Sequence, residues 1–146
     1  MAFALEEALR AEEVVPVGCV IVQNEQVIAL SHNQREKSKD PTAHAEILAL
    51  REAARIKLDW RLTGTTLYTT LEPCPMCAEA ILQARVSRVV FGAYDSKSGA
   101  LGSMFNLYCD GRIYPLPEVV GGIMEGPCKN VLVEFFVRRR VGSNSR

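Results

Sequence analysis

Apolar positions recur along this chain with two spacings, which alternate from one segment to the next. Runs rich in β-branched residues predict strands at 18–22, 27–31, 66–70 and 88–92, and at Val119 and Val120. Apolar residues at helical spacing predict helices at 3–13, 47–56, 78–85 and from Gly126 onward. Strands that alternate with helices are typical of an α/β protein with a covered, largely parallel sheet. We therefore predict one α/β domain over residues 1–146.

The segments between these elements are polar or rich in glycine. Residues 24–26 predict a turn that joins the first two strands into a hairpin, and residues 34–39 predict a polar loop. Residues 93–102 predict a loop at the carboxyl end of a strand, where open α/β sheets usually bind ligands. In residues 104–117 the pattern indicates only a short helix near Phe105 and Leu107.

Two cysteines stand where the third predicted strand gives way to a helix. Pro75 is a natural first helical residue, so we expect Cys74 at the helix cap and Cys77 one turn later on the same face. Both sulfur atoms can then reach one point in front of the helix, where the amide groups and the helix dipole favour thiolates. This arrangement suits a thiophilic metal ion.

A third metal ligand is expected from His44, at the opening of the preceding helix, for which Asp40 or Thr42 is the predicted cap. Side chains two residues apart on a helix point about 200° apart, so His44 and Glu46 cannot both bind a metal ion on the helix flank. At the helix mouth, His44 would bind the metal and the longer Glu46 would reach toward a bound water. Three protein ligands leave one position of a tetrahedral zinc ion open, as in catalytic sites.

Two other interpretations of the cysteine pair are open at this point. A C-x-x-C motif alone is also typical of thioredoxin-like redox sites, but that interpretation gives no role to His44 or Glu46. A structural zinc site would need a fourth ligand. Cys19, Cys109 and Cys128 are available for it, although each stands alone without ligand spacing.

The composition is that of an ordinary soluble domain, with 48% hydrophobic and 23% charged residues. No apolar run approaches the roughly 20 residues of a membrane span, and residues 1–10 do not resemble a signal peptide, so we expect a cytoplasmic protein with no membrane partner. The odd number of cysteines, five, fits reduced thiols better than a disulfide framework.

The net charge is zero and gives no overall sign of nucleic-acid binding. The charge is unevenly distributed, because the C-terminal end is basic through Lys129, Arg138, Arg139, Arg140 and Arg146. A solvated helix end and a phosphate contact explain this basic end equally well.

The combination of H-x-E with P-C-x-x-C is the signature of the zinc nucleobase deaminases. The chain resembles in particular the bacterial tRNA-specific adenosine deaminases, over nearly its whole length. The matching stretches are 15–18, Asn33, 40–46, 71–77, 88–93, Asp95, Lys97, 99–103 and 135–136. Guanine deaminases look similar at 40–46 and 72–77, so the preference for tRNA depends on residues 88–103 and on the C-terminal helix.

The resemblance implies a three-layer α/β/α cytidine-deaminase-like fold with a mixed sheet of about five strands. It implies one Zn²⁺ ion per subunit on His44, Cys74 and Cys77, with Glu46 as the catalytic proton shuttle. The implied reaction is hydrolytic deamination of adenosine to inosine at the wobble position of tRNA, by a homodimer that binds the anticodon stem-loop. The residues implied to contact the substrate are Asn33, Val15, Pro16, Val17, Ala45, Asp95, Lys97, Phe135, Phe136 and Arg138.

Several of these implied contacts also have a purely structural explanation. Residues 15–17 would wall the base pocket or simply enter a strand, and Asn33 would bond the flipped nucleotide or turn the chain. Asp95 and Lys97 would meet nucleotides of the RNA loop or only water. The two phenylalanines at 135–136 belong to a helical apolar stripe, which more often packs in a core than stacks on bases.

Two other functions are also open. One is a deaminase of free guanine, cytosine or a nucleoside, and the other is a noncatalytic zinc-containing module that binds RNA. The chain departs from the family in a shorter first helix, in Val14 where an acidic residue is common, and in residues 109–117, which replace a stretch that usually carries histidine and asparagine. The last departure could alter RNA contacts or the dimer surface without changing the chemistry.

Overall fold

A computed structural model describes residues 1–144 and contains five helices and five strands in that range. Arg146, which we counted with the basic end, lies outside the described residues. In chain order the elements are α1 (Ala2–Leu9), β1 (Gly18–Gln23), β2 (Gln26–His32), α2 (Arg35–Ser38), α3 (Ala45–Lys57), β3 (Thr66–Leu71), α4 (Pro75–Gln83), β4 (Arg88–Ala93), β5 (Glu118–Val120) and α5 (Glu125–Ser143).

The sheet is mixed, with the strand order β2-β1-β3-β4-β5. Strands β3, β4 and β5 are parallel to one another, whereas β1 is antiparallel to both β2 and β3. The hairpin between β1 and β2 turns at Asn24 and Glu25, which both have positive φ angles, as a tight two-residue hairpin turn requires. The mixed sheet confirms the fold implied by the resemblance and corrects the largely parallel sheet that the pattern alone suggested.

Helices cover both faces of this sheet, which gives the three layers α/β/α. Because side chains of a strand alternate between faces, Cys19 and Ile21 of β1 pack in one core with Ala49 of α3 and Ile81 of α4. On the other face, Gly18 touches α1 so closely that any side chain would collide with the Ala4 carbonyl. Helix α5 packs over β4 on that face. The core under α3 and α4 therefore places their N-termini at the end of the sheet where β3 finishes.

Two predicted elements differ in the structure near the start of α3. Residues 35–38 form a single helical turn rather than a loop, and this turn has no buried residue from which an apolar pattern could arise. Helix α3 begins at Ala45 with His44 in the cap position. Asp40 instead closes a turn, in which its Oδ1 accepts bonds from the amide of Thr42 at 2.8 Å and from the Thr42 hydroxyl at 2.7 Å.

The other differences lie at the end of α1 and in residues 104–117. Helix α1 ends at Leu9, four residues earlier than predicted. The short helix expected near Phe105 and Leu107 is wrong, because the chain forms a turn there, closed by the bridge between Leu101 and Asn106. Within residues 1–144 no helix is long and apolar enough to cross a membrane.

Candidate active site

The N-termini of α3 and α4 lie next to each other at the end of β3, and they carry the three predicted metal ligands. His44 caps α3 and Cys74 caps α4, both with extended backbone angles, and Pro75 is the first residue of α4 as predicted. Cys77 follows within the first turn of α4 and is buried. The positive ends of both helix dipoles therefore point toward the same region, which favours anionic sulfur ligands.

The three ligand atoms lie close enough to share one ion. His44 Nδ1 is 3.6 Å from Cys74 Sγ and 3.5 Å from Cys77 Sγ, and all three atoms lie within 4.8 Å of one another. Within the described range, no other group of three histidine, cysteine or acidic side chains meets this condition. Two thiolates and one imidazole form a donor set that fits zinc. Cys19, Cys109 and Cys128 stay outside it, which removes the closed structural site.

The two cysteine thiols differ in acidity because of the hydrogen bond between them. Hydrogen bonding to Cys77 lowers the pKa of the Cys74 thiol to about 4, and hydrogen bonding to Cys74, together with burial, raises the pKa of Cys77. The bond to Cys74 also raises the pKa of His44. Cys74 is therefore the more readily ionised of the two thiols, which suits a metal ligand.

Glu46 is buried beside these ligands, with 4% of its surface exposed. Its Oε1 accepts a hydrogen bond from the Thr69 hydroxyl of β3 at 2.9 Å, and its Oε2 lies 3.3 Å from Cys77 Sγ. Burial raises the pKa of the Glu46 carboxyl above its ordinary value, and a carboxyl whose pKa lies nearer to neutrality is better suited to take up and release protons. Glu46 thus has the position and the environment of a general acid and base.

A cavity of about 200 Å³ opens in front of His44, Glu46 and Cys74. Five of the predicted substrate contacts line it, namely Val15, Val17, Asn33, Ala45 and Asp95. Sites that enclose a drug-sized ligand usually measure about 300–1,000 Å³. This cavity is therefore suited to one small ring system or to one part of a larger substrate.

Residues 1–93 match the protein family described as "Cytidine and deoxycytidylate deaminase zinc-binding region". The chain is 48% identical over 135 residues to the tRNA-specific adenosine deaminase of Bacillus subtilis, covering 91% of this chain and 84% of that protein. It is 46% identical over 143 residues to the tRNA-specific adenosine deaminase of Haemophilus influenzae, covering 96% of this chain and 83% of that protein. The chain belongs to this zinc-dependent deaminase family.

Solved structures confirm the fold of this deaminase. A structure from work on A-to-I editing by tRNA:A34 deaminases at the wobble position superposes with a TM-score of 0.87 at 42% identity, and covers 90% of this chain and 97% of that chain. The guanine deaminase of Bacillus subtilis superposes with a TM-score of 0.60 at 31% identity, over 94% of this chain and 87% of that chain. The cytidine-deaminase-like fold is thus common to both substrate classes.

Asn33 connects two walls of the cavity in this deaminase. Its Nδ2 donates to the Val15 carbonyl at 3.1 Å, and its Oδ1 accepts from the Arg35 amide at 3.1 Å. Asp95 plays a similar part in the loop that follows β4, where its carboxylate accepts bonds from the amides of Lys97 and Ser98 and from the Ser98 hydroxyl. Both side chains therefore line the cavity and also hold its walls in place.

Five predicted substrate contacts lie outside the cavity. Pro16 is buried and borders a groove between α1 and α5, because alternation along the chain turns it away from Val15 and Val17. Pro16 therefore does not line the cavity beside Val15 and Val17. Lys97, Phe135, Phe136 and Arg138 border surface grooves along α5 instead.

The sequence interpretation missed four residues that line the cavity, namely Arg35, Leu71, Glu72 and Ser98. Glu72 is only 2% exposed and accepts bonds from the amides of Asp95 at 3.2 Å and Leu101 at 3.0 Å. It also accepts bonds from the amide and the hydroxyl of Ser103. Glu72 thus fastens the loop 95–103 to the segment that carries Cys74. An acidic residue directly before a metal-ligand motif was the available signal.

Proposed function

We propose that this protein hydrolytically deaminates the wobble adenosine of a tRNA anticodon to inosine. The observation that carries the proposal is the 48% identity to a tRNA-specific adenosine deaminase over 91% of the chain. The site is compatible with it, because three ligands that fit zinc and one buried carboxyl face a cavity large enough for a single base.

His44, Cys74 and Cys77 would hold the zinc ion, and zinc bound by three ligands lowers the pKa of its water to about 7. Glu46 would accept a proton from the attacking water and deliver it to N1 of adenine. It would then deliver the second proton to the departing amine, so that adenosine and water give inosine and ammonia. The Thr69 hydroxyl would keep the Glu46 carboxylate in the orientation that these transfers need.

The cavity would receive the flipped adenine between Val15, Val17 and Ala45, with Asn33 and Asp95 as polar contacts. The sugar and phosphates would remain outside because of the small cavity volume. An anticodon loop presents unstacked bases, so its adenosine enters at a lower energetic cost than a base of a duplex. Lys97, Phe135, Phe136 and Arg138, on the α5 side, would meet the rest of the stem-loop.

We further infer a homodimer in the cytoplasm, where tRNA is available. The support for a dimer is a group of exposed apolar side chains in residues 104–117, namely Met104, Phe105, Ile113 and Leu116. Exposed apolar patches often mark protein interfaces. Light scattering of the zinc-loaded protein should give twice the mass of the 16.1 kDa chain.

The decisive experiment incubates the protein with an anticodon stem-loop and, separately, with free guanine, cytosine and adenosine. We expect inosine in the RNA, measured by nuclease digestion and mass spectrometry. Ammonia release from guanine without inosine in the RNA would instead support a free-base deaminase like the guanine deaminase of similar fold. Glu46→Ala separates the enzyme from a noncatalytic RNA-binding module, because a binding module has no turnover to lose.

A further inference from the structure

Arg35 carries the one positively charged side chain among the described residues that line the cavity. Its backbone is fixed, because its amide donates to Asn33 Oδ1 at 3.1 Å and Asn33 is itself bonded to the Val15 carbonyl. Its side chain is 49% exposed. The backbone of Arg35 is therefore held at the rim of the cavity, and its guanidinium is partly exposed to solvent.

The partner of this guanidinium is the next residue in the chain. Arg35 donates from Nε at 3.3 Å and from Nη2 at 2.8 Å to Oε1 of Glu36, whose side chain is 44% exposed. Exposed ion pairs contribute little to stability and exchange readily. A planar guanidinium binds phosphate in a two-point geometry that a single carboxylate oxygen does not satisfy. Arg35 can therefore leave Glu36 for a phosphate.

The other charged side chains of the cavity wall already have partners. Glu46 is buried against Thr69, Glu72 accepts four hydrogen bonds and Asp95 accepts three. A neutral base needs no cation at the cavity edge, whereas the phosphodiester attached to it does. The charge of Arg35 thus fits the backbone of a nucleic acid better than a free base.

Helix α5 contributes a positive charge that acts on Glu36. The bond from Arg35 lowers the pKa of the Glu36 carboxyl, and the positive charge of Arg139 in α5 contributes to that lowering. Arg139 is therefore close enough to Glu36 to act on it. The positive charge that acts on Glu36 therefore comes from α5 as well as from Arg35.

We propose that Arg35 binds a phosphate next to the flipped nucleotide and that Glu36 competes for the same guanidinium as an internal substitute for phosphate. This inference rests on the proposed RNA substrate. It explains how a cavity sized for one base would favour a nucleotide within a chain over a free base. Arg35 would act on substrate binding and leave the transfer of protons to Glu46.

The test compares Arg35→Ala, Glu36→Ala and the double variant on an anticodon stem-loop at several salt concentrations. We expect Arg35→Ala to raise KM about tenfold, mainly without a matching fall in kcat, and to reduce the salt slope of binding by about 0.7, the value for one phosphate of a single strand. Glu36→Ala should lower KM, and this gain should shrink when Arg35 is absent. Arg55→Ala is the matched control, since Arg55 is paired with Glu52 on the same helix and does not line the cavity.

A chemical probe identifies the phosphate directly. Two stem-loops are made, each with one uncharged methylphosphonate, on the 5′ or the 3′ side of the target adenosine. The wild type should bind one of them less well than the unmodified stem-loop. Arg35→Ala should bind that modified stem-loop and the unmodified one equally well. Unchanged KM and salt slope in Arg35→Ala, or equal methylphosphonate effects in both proteins, would overturn the proposal.

These outcomes are separable from failure of the proposed function. Binding of the stem-loop is measured in the Glu46→Ala background, where no turnover occurs. If the wild type forms no inosine in RNA, the proposed reaction is wrong, and the binding experiment still decides whether Arg35 contacts phosphate.

Discussion

Replacing Glu72 by glutamine tests whether one buried carboxylate holds the cavity wall. Glu72 Oε1 faces the Asp95 amide and the Ser103 hydroxyl, and Oε2 faces the amides of Leu101 and Ser103. In its best orientation, a glutamine would keep its oxygen toward Leu101 and donate its amide to the Ser103 hydroxyl, which can also accept. The Asp95 amide would then have no partner.

The structure sets the size of this effect. A buried donor without a partner costs about 1–3 kcal/mol, and each of the two remaining amide bonds weakens by about 1 kcal/mol when the charged acceptor becomes neutral. We therefore expect the loop 95–103 to open more easily by about 4 kcal/mol, which corresponds to roughly a thousandfold faster hydrogen exchange at about 1.4 kcal/mol per factor of ten.

Hydrogen exchange of the zinc-loaded protein measures the effect residue by residue. Faster exchange should be confined to the amides of Asp95, Leu101 and Ser103 and their neighbours. Glu52→Gln is the control, because Glu52 bonds to Arg55 on the exposed face of α3 and should leave the loop unchanged. Exchange in Glu72→Gln equal to that of the wild type would refute the role given to this carboxylate.

The remaining predictions concern the metal ligands, the proton carrier, the packing and the thiols. Cys74→Ala should lose zinc, measured by metal analysis, whereas Glu46→Ala should keep zinc and lose at least about 10²-fold in kcat, the usual contribution of a general base; full zinc occupancy in Cys74→Ala would contradict the assigned ligand set. Gly18→Ala should lower the melting temperature, since the added methyl group would meet the Ala4 carbonyl, and an unchanged melting temperature would show that α1 can shift. In the zinc-loaded protein, where the metal would protect Cys74 and Cys77, a thiol reagent should modify the exposed Cys109 first and Cys19 only after unfolding, because Cys19 is fully buried and burial raises its pKa; peptide mass spectrometry of the zinc-loaded protein checks this order.

The sequence predicted the elements and the metal ligands because both depend on local spacing. Cys74 and Cys77 lie in one helical turn, and Pro75 fixes where that turn begins. The strands were predicted from their β-branched runs, and the five strands found agree within a few residues. His44 was expected as the third ligand because it opens a second helix, and the resemblance implied the same ligand set.

What the sequence did not predict depends on contacts between distant segments. Glu72 and Ser103 come together only because the chain returns after β4, so no local sequence pattern near either residue predicts their hydrogen bond. Arg35 stands in a polar stretch whose helical turn is held by the side chain of Asn33 rather than by apolar burial. Pro16 borders a different groove from Val15 and Val17 because adjacent residues of an extended segment face opposite sides.

The separation of the metal ligands along the chain has a consequence for the unfolded protein. His44 and Cys74 are 30 residues apart, so an ion that binds both closes a loop as a covalent cross-link would. By the chain-entropy estimate used for disulfides, a closed loop of this length lowers the conformational entropy of the unfolded state. This raises the free energy of the unfolded state by about 3–4 kcal/mol. The zinc ion would thus also stabilise the fold by cross-linking distant segments. A chelator should therefore lower the melting temperature of the protein as well as abolish its activity.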